Sequence, residues 1–231
     1  MSKAKRKAAA ANKAQQERAR LVGFVAAVVV VVVAAIALLY VNSQPESGGP
    51  VDADVQAALA SEFAPTLGDP DARVHIVEYL DPACGTCAMF YPMVKRWMSE
   101  APDKLRLSVR HVAFHRGADF TLKVLEASRN QDMYWETLEA LLMSQRSWVT
   151  NHVVQQDRVI PAIADVGLDI DMLIADMSSA EVLERIEKDK QDAVTLQISQ
   201  TPTYFVNGRP LPSFGQQQLL DLVREELDKA Y

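Results

Sequence analysis

The sequence is poor in the residues that build several common kinds of site. Its 231 residues include only two cysteines and nine glycines. Two cysteines cannot build a disulfide-held scaffold. The glycines form neither a G-x-G-x-x-G turn nor a P-loop, so nucleotide-binding signatures are missing. HExxH is absent, and the four histidines, at 75, 111, 115 and 152, offer no paired-His motif, so no metal site is expected. Basic residues are scarce after residue 41, where 17 Lys/Arg stand against 29 acids, a balance unsuited to nucleic acid. The other seven bases lie in residues 1–20 with a single acid, Glu17. A hydrophobic share of 49% still provides for a core, and the length allows one domain of about 100 to 200 residues with something added.

The basic and acidic regions are separated by residues 21–41, which carry no charge at all. A helix of that length, at about 1.5 Å per residue, spans about 30 Å, the thickness of a hydrocarbon core. A cleaved signal peptide is the alternative. It fits less well, because the basic region is 20 residues long and the run exceeds the roughly 7 to 15 apolar residues of such peptides. The expectation is a basic cytoplasmic tail at 1–20 and a transmembrane anchor at 21–41. The positive-inside rule then puts the acidic remainder outside the cytoplasm, in an oxidising compartment.

Residues 42–50 (NSQPESGGP) read as linker, 52–63 as a short helix and Gly68-Asp69-Pro70 as a turn. Residues 74–80 (VHIVEYL) read as a buried strand that runs into Asp81-Pro82-Ala83-Cys84-Gly85-Thr86-Cys87. A helical pattern follows to Glu100, with Phe90, Val94, Trp97 and Met98 on one face. Residues 105–112 alternate as a half-buried strand does. Residues 118–193 read as helical throughout, with Trp135 and the leucines as core. A strand at 203–206, a turn at Asn207-Gly208 and an amphipathic helix follow. This order predicts an α/β fold with an inserted all-helical subdomain. The expected divisions are a linker at 42–67, the first α/β part at 68–117, the insertion at 118–193 and the second α/β part at 194–231.

The chemistry sits in Cys84 and Cys87. A cysteine where a strand meets a helix start points its sulfur at unpaired backbone N–H groups and the positive end of the helix dipole, which stabilise a thiolate. The second cysteine, one turn on, can attack a mixed disulfide formed by the first. Half a zinc site would lack its other ligands, and a purely structural disulfide across so short a loop would remove little chain entropy. His111 and His115 straddle a strand end and read as surface or turn residues. Met89 and Met93 read as core rather than as a soft groove for peptides. Glu78 lies on a buried strand, where a carboxyl is costly unless it has a task or a partner.

Over residues 66–229 the pattern resembles the thioredoxin fold, and within it the DsbA-like thiol-disulfide oxidoreductases with a helical insertion. The resemblance rests on Gly68 to Val74 followed by Val77-Glu78-Tyr79 and Asp81, on Cys84 and Cys87, on Pro92 in the active-site helix, and on Thr201-Pro202-Thr203-Tyr204-Phe205-Val206-Asn207-Gly208. It departs from the family at Gly85-Thr86, where a pair containing Pro, His or Tyr is usual, and at Gln200, where Gly often precedes Thr-Pro. The resemblance implies that Cys84 is the nucleophile, Cys87 the resolving thiol and Glu78 its proton acceptor. It also implies that the Thr201-Pro202 bond is cis and that the Thr201 backbone binds extended substrate beside Cys84.

The implied function is a membrane-anchored extracytoplasmic oxidant that introduces disulfides into exported cysteine-containing proteins and is recycled by a membrane redox partner. It needs no cofactor beyond the redox-active Cys84–Cys87 disulfide, and no metal or nucleic acid. The alternatives are a reductase or isomerase of the same fold, and a copper-handling module using the two cysteines with Met89 or Met93. No His or Lys lies between the cysteines and Asp81 adds a negative charge, so the potential is expected between about −120 and −270 mV.

Overall fold

The computed structural model describes residues 53–59, 61 and 63–231, together with Val32 and Ala35. Apart from those two, the basic tail at 1–20, the anchor expected at 21–41 and the linker at 42–50 lie outside the described residues. Among the described residues no helix is long and apolar enough to cross a membrane.

A five-stranded sheet organises the domain. Its central strands are β2 (Val74–Leu80) and β3 (Leu105–His111), which run parallel, joined by helix α2 (Gly85–Glu100). Strand β1 (Thr66–Gly68) pairs antiparallel with β3, and β6 (Thr203–Val206) pairs antiparallel with β2 and with β7 (Arg209–Pro210). The order across the sheet is β1-β3-β2-β6-β7. Helix α1 (Ala53–Leu59) precedes the sheet, and α8 (Gln216–Ala230) follows β7.

Alternation along the strands decides what each face carries. Val74, Ile76 and Leu80 of β2, with Leu105, Leu107 and Val109 of β3 and Tyr204 and Val206 of β6, form one core with Phe90 and Val94 of α2 and with Leu219 and Val223 of α8. Val77 and Tyr79, out of phase with these, form a second core with Phe205, Leu59 of α1 and Ala193. Glu78 falls in the phase of Ile76 and Leu80, so the strand directs it to the face that α2 covers.

Between β3 and β6 lies the insertion. It contains α3 (Ala118–Ser128), α4 (Tyr134–Trp148), α5 (Gln156–Ala162), α6 (Ile170–Asp176) and α7 (Ala180–Thr195). It is helical as expected, with one exception: β4 (Val149–Thr150) and β5 (Val153–Val154) form a two-stranded ribbon. Asn151 and His152 at its turn have φ of 50° and 61°, the left-handed pair that a two-residue hairpin turn demands. The flanking β-branched residues favour extended backbone.

The domain edge also lies earlier than residue 68. β1 begins at Thr66, and α1 belongs to the second core, with Ala58 and Leu59 only 2% and 6% exposed. The described part of the 42–67 segment is therefore folded structure rather than linker. Three residues are too few to display alternation, which hid β1 in the sequence. Gly68, at φ 98°, closes that strand, and a Cβ there would meet the Leu105 carbonyl. Only glycine fits both the conformation and the space.

Candidate active site

β2 ends at Leu80, and α2 starts four residues after Asp81, with Cys84 as its N-cap residue in extended conformation. The carboxylate of Asp81 shapes the connection. It accepts from Ala83 N–H at 2.8 Å, from Phe114 N–H at 2.8 Å, and from both the backbone N–H and the ring Nδ1 of His115 at 2.9 and 2.8 Å. The charge expected to oppose the thiolate is thus engaged in holding the loop. His115 is a partner of that loop rather than an ordinary turn residue.

The two cysteines are free thiols in different surroundings. Cys84 retains 7% exposure, and its Sγ donates to the Thr201 carbonyl at 3.3 Å. The Thr201-Pro202 peptide bond is cis. Hydrogen bonds with the Cys87 thiol first, then with Thr201, and then from the backbone N–H groups of Cys87 and Thr86, lower the Cys84 thiol to about 5 against the cost of burial. Cys87 is fully buried and is pushed far up, by burial first, then by its bond to Cys84 and by the charge of Glu78. One thiol is prepared to be a thiolate and the other to keep its proton.

Glu78 lies beneath the pair, 0% exposed and paired in register with Tyr204 across β2 and β6. Tyr204 Oη donates to Glu78 Oε1 at 2.9 Å, while Oε2 is buried without a partner. Burial raises this carboxyl to about 8, against the Tyr204 bond that lowers it. At neutral pH it holds a proton and can exchange it near pH 8. The structure therefore brings Cys84, Cys87, Glu78, Thr201 and Pro202 into one site.

Residues 61–225 match the thioredoxin family profile. The chain belongs to the thioredoxin family. A solved thioredoxin-like oxidoreductase from Silicibacter pomeroyi is 27% identical with a TM-score of 0.65, covering 76% of this chain and 99% of that one. A probable disulfide bond formation protein D of Bacillus anthracis is 26% identical over 155 residues, 62% of this chain and 69% of that protein. A Na(+)/H(+) antiporter NhaA of Herminiimonas arsenicoxydans is 33% identical over 167 residues, 71% of this chain. The match covers only 26% of that antiporter, so the chain spans about a quarter of the length of the curated relatives it matches first.

Besides His115, three residues of this thioredoxin-family domain differ from expectation or were missed. Met89 is 60% exposed instead of core, whereas Met93 packs partly buried against the core. His111 is 1% exposed and far from being a surface residue. Its Nε2 lies 2.8 Å from Tyr134 Oη, and its Nδ1 lies 3.1 Å from Glu126 and 3.4 Å from Asp189. The signal was present, since His111 continues the inward phase of Leu105, Leu107 and Val109, but its place at the end of the strand reads as the start of a turn. Gln145 of α4 was missed altogether. Its Nε2 donates to the carbonyls of Pro82 at 2.8 Å and Cys84 at 3.0 Å, a contact across 61 residues that no local pattern announces.

Among the described residues, His111, Glu126 and Asp189 place ligand-type atoms within 4.8 Å of one another. Arginines already occupy these carboxylates. Arg185 binds Glu126 at 2.7 Å, and Arg110 binds Asp189. Tyr134 holds the other ring nitrogen of His111. The set reads as a paired ion cluster rather than a cation site.

Proposed function

We propose that this domain is a dithiol oxidant acting on exported cysteine-containing proteins, held at the outer side of the cytoplasmic membrane by residues 21–41 with residues 1–20 inside. The observation that carries this reading is the opposed state of the two thiols, Cys84 lowered to about 5 and Cys87 raised, above a carboxyl at about 8. A Cys84 thiol at about 5 lies between the roughly 3.5 of a strongly oxidising pair and the roughly 7 of a reducing one. A stabilised thiolate makes the disulfide easier to reduce and hence more oxidising.

In the oxidised domain a substrate thiolate attacks Cys84 Sγ. The Cys84–Cys87 bond breaks as the mixed disulfide forms, and Cys87 leaves with a proton supplied by the Glu78 carboxyl, directly or through water. A second substrate thiolate then attacks the substrate sulfur, releasing Cys84 as a thiolate held by the N–H groups of Thr86 and Cys87. The substrate loses two electrons and the domain gains them. A membrane redox partner removes them again. The backbone at Thr201 and Pro202, beside Cys84, offers extended substrate a place to pair by strand addition. No metal or cofactor takes part beyond the cysteine pair itself.

The test is the Cys84/Cys87 equilibrium with glutathione together with trapping of partners in cells. Cys87→Ser should accumulate mixed disulfides with exported proteins, and Cys84→Ser should not. A pair found mostly reduced after acid quenching would favour the reductase or isomerase reading. Tight Cu(I) binding without disulfide exchange would favour the copper-handling one.

A further inference from the structure

The amide of Gln145 reaches from the insertion to the backbone that carries Cys84. Its one nitrogen donates two hydrogen bonds, to Pro82 O and Cys84 O. Pro82 is buried, so its carbonyl needs a protein donor, and this amide supplies one. The Cys84 carbonyl also accepts the first helical bond of α2, from Ala88 N–H at 3.2 Å. The amide oxygen lies toward Gly85, where a Cβ would come within 3.7 Å of it.

The base of this reach is rigid. Leu138 and Leu141 of α4 are fully buried, and Trp148 Nε1–H donates to Leu141 O at 3.0 Å. The amide is therefore presented from a fixed helix to a loop whose other side is held by Asp81. We propose that Gln145 is a positioning residue for thiol-disulfide exchange, fixing residues 82–84 so that the Cys84 sulfur faces the N–H groups of Thr86 and Cys87. The Cys84 carbonyl belongs to the thiolate's own residue, so a donor on it offsets part of its opposition to that charge, while the second bond, to Pro82, holds the segment in place. The side chain required is long, neutral and doubly donating, which glutamine alone combines: asparagine is one methylene shorter, and glutamate carries no second donor.

This rests on Cys84 being the reacting sulfur. Three proteins decide it, each studied as the purified chain: the parent, Gln145→Met and Gln145→Glu. Loss of hydrogen bonds of ordinary strength in Gln145→Met should raise the Cys84 titration by about one pH unit and move the glutathione equilibrium about tenfold toward the disulfide. Tenfold corresponds to a potential about 30 mV more reducing. Gln145→Glu should add a pH dependence of its own, resembling the parent at low pH, where the acid donates one bond, and falling below Gln145→Met once the carboxylate faces two carbonyls.

A parent that does not exchange with glutathione would overturn the functional reading itself. A parent that exchanges, with variants whose Cys84 titration and equilibrium are unchanged while melting falls equally in both redox states, would overturn only the role of Gln145. Variants that fail to fold in either redox state would mark Gln145 as a folding residue and overturn that role as well.

Discussion

Glu78 and Glu126 are buried alike, at 0% and 2% exposure, yet the first is raised to about 8 and the second held near 2. Burial pushes both up. What differs is company. Glu78 has one neutral donor, Tyr204, and an orphan oxygen. Glu126 has His111 beside it, Arg129 at 2.8 Å and Arg185 at 2.7 Å. The cluster around Glu126 continues through Asp189 to Arg110, which is 0% exposed, bonds Asp192 and donates to the Ala58 carbonyl at 2.6 Å. It joins α1, β3, α3 and α7, tying the insertion and the N-terminal helix to the sheet. The same penalty thus serves two ends: left unpaid at Glu78 it creates a proton donor near neutrality, and met by counter-charges at Glu126 it yields a structural joint.

The most severe way to break this contrast is to remove the charge from the paired side. Glu126→Gln removes the buried anion that Arg185, Arg129 and His111 share, leaving Arg185 only the exposed Glu181 and His111 only Asp189, and should cost about 3 to 5 kcal/mol in urea denaturation, while the folded remainder keeps its glutathione equilibrium. A loss below 1 kcal/mol would show that the cluster contributes little.

Glu78→Gln should act in the opposite direction on stability. The folded carboxyl titrates at about 8 against an ordinary 4.5, so the unfolded chain binds fewer protons between those values and stability falls as pH rises through them. The variant lacks that loss and should exceed the reduced parent by about 2 to 4 kcal/mol at pH 8, and not at all below pH 4.5. Its price is catalytic: disulfide opening at neutral pH, followed by stopped-flow fluorescence, should slow by about a hundredfold. Equal rates would remove Glu78 from the mechanism.

The smallest change expected is at His111. Burial works to lower it, but Asp189 and Glu126 raise it to about 9 from 6.5. Its contribution is therefore complete below pH 6.5 and is lost as pH climbs toward 9, whereas that of Glu126 is complete above about 4.5 and lost toward 2. Together they predict greatest stability of the cluster between about pH 4.5 and 6.5. His111→Gln should flatten the alkaline side by about 1 to 3 kcal/mol between pH 6 and 9 and leave the acid side in place. A parent whose urea midpoint does not move across that alkaline range would contradict the pairing.

Strands β2 and β6 were legible from end to end because each is a short apolar run bounded by turn residues, and the position of Cys84 followed from where β2 stops and α2 starts. Cys84, Cys87, Glu78 and the Thr201-Pro202 pair were likewise identifiable from spacing and resemblance. The ribbon at 149–154 was not, since two residues per strand leave no period to detect. The ion cluster was visible only as scattered charges. Its members lie on β3, α3 and α7, up to 82 residues apart in the bond from Arg110 to Asp192.

The sequence alone determined which groups could react, because a thiol pair at a strand-to-helix junction and a carboxyl on a buried strand are set by local periodicity. Tertiary structure decided their protonation and hold. Whether a buried carboxylate meets one tyrosine or two arginines, and whether a glutamine on a distant helix reaches the carbonyl of Cys84, depends on which elements pack together, and electrostatic energies in a low-dielectric interior change most over those last few ångströms.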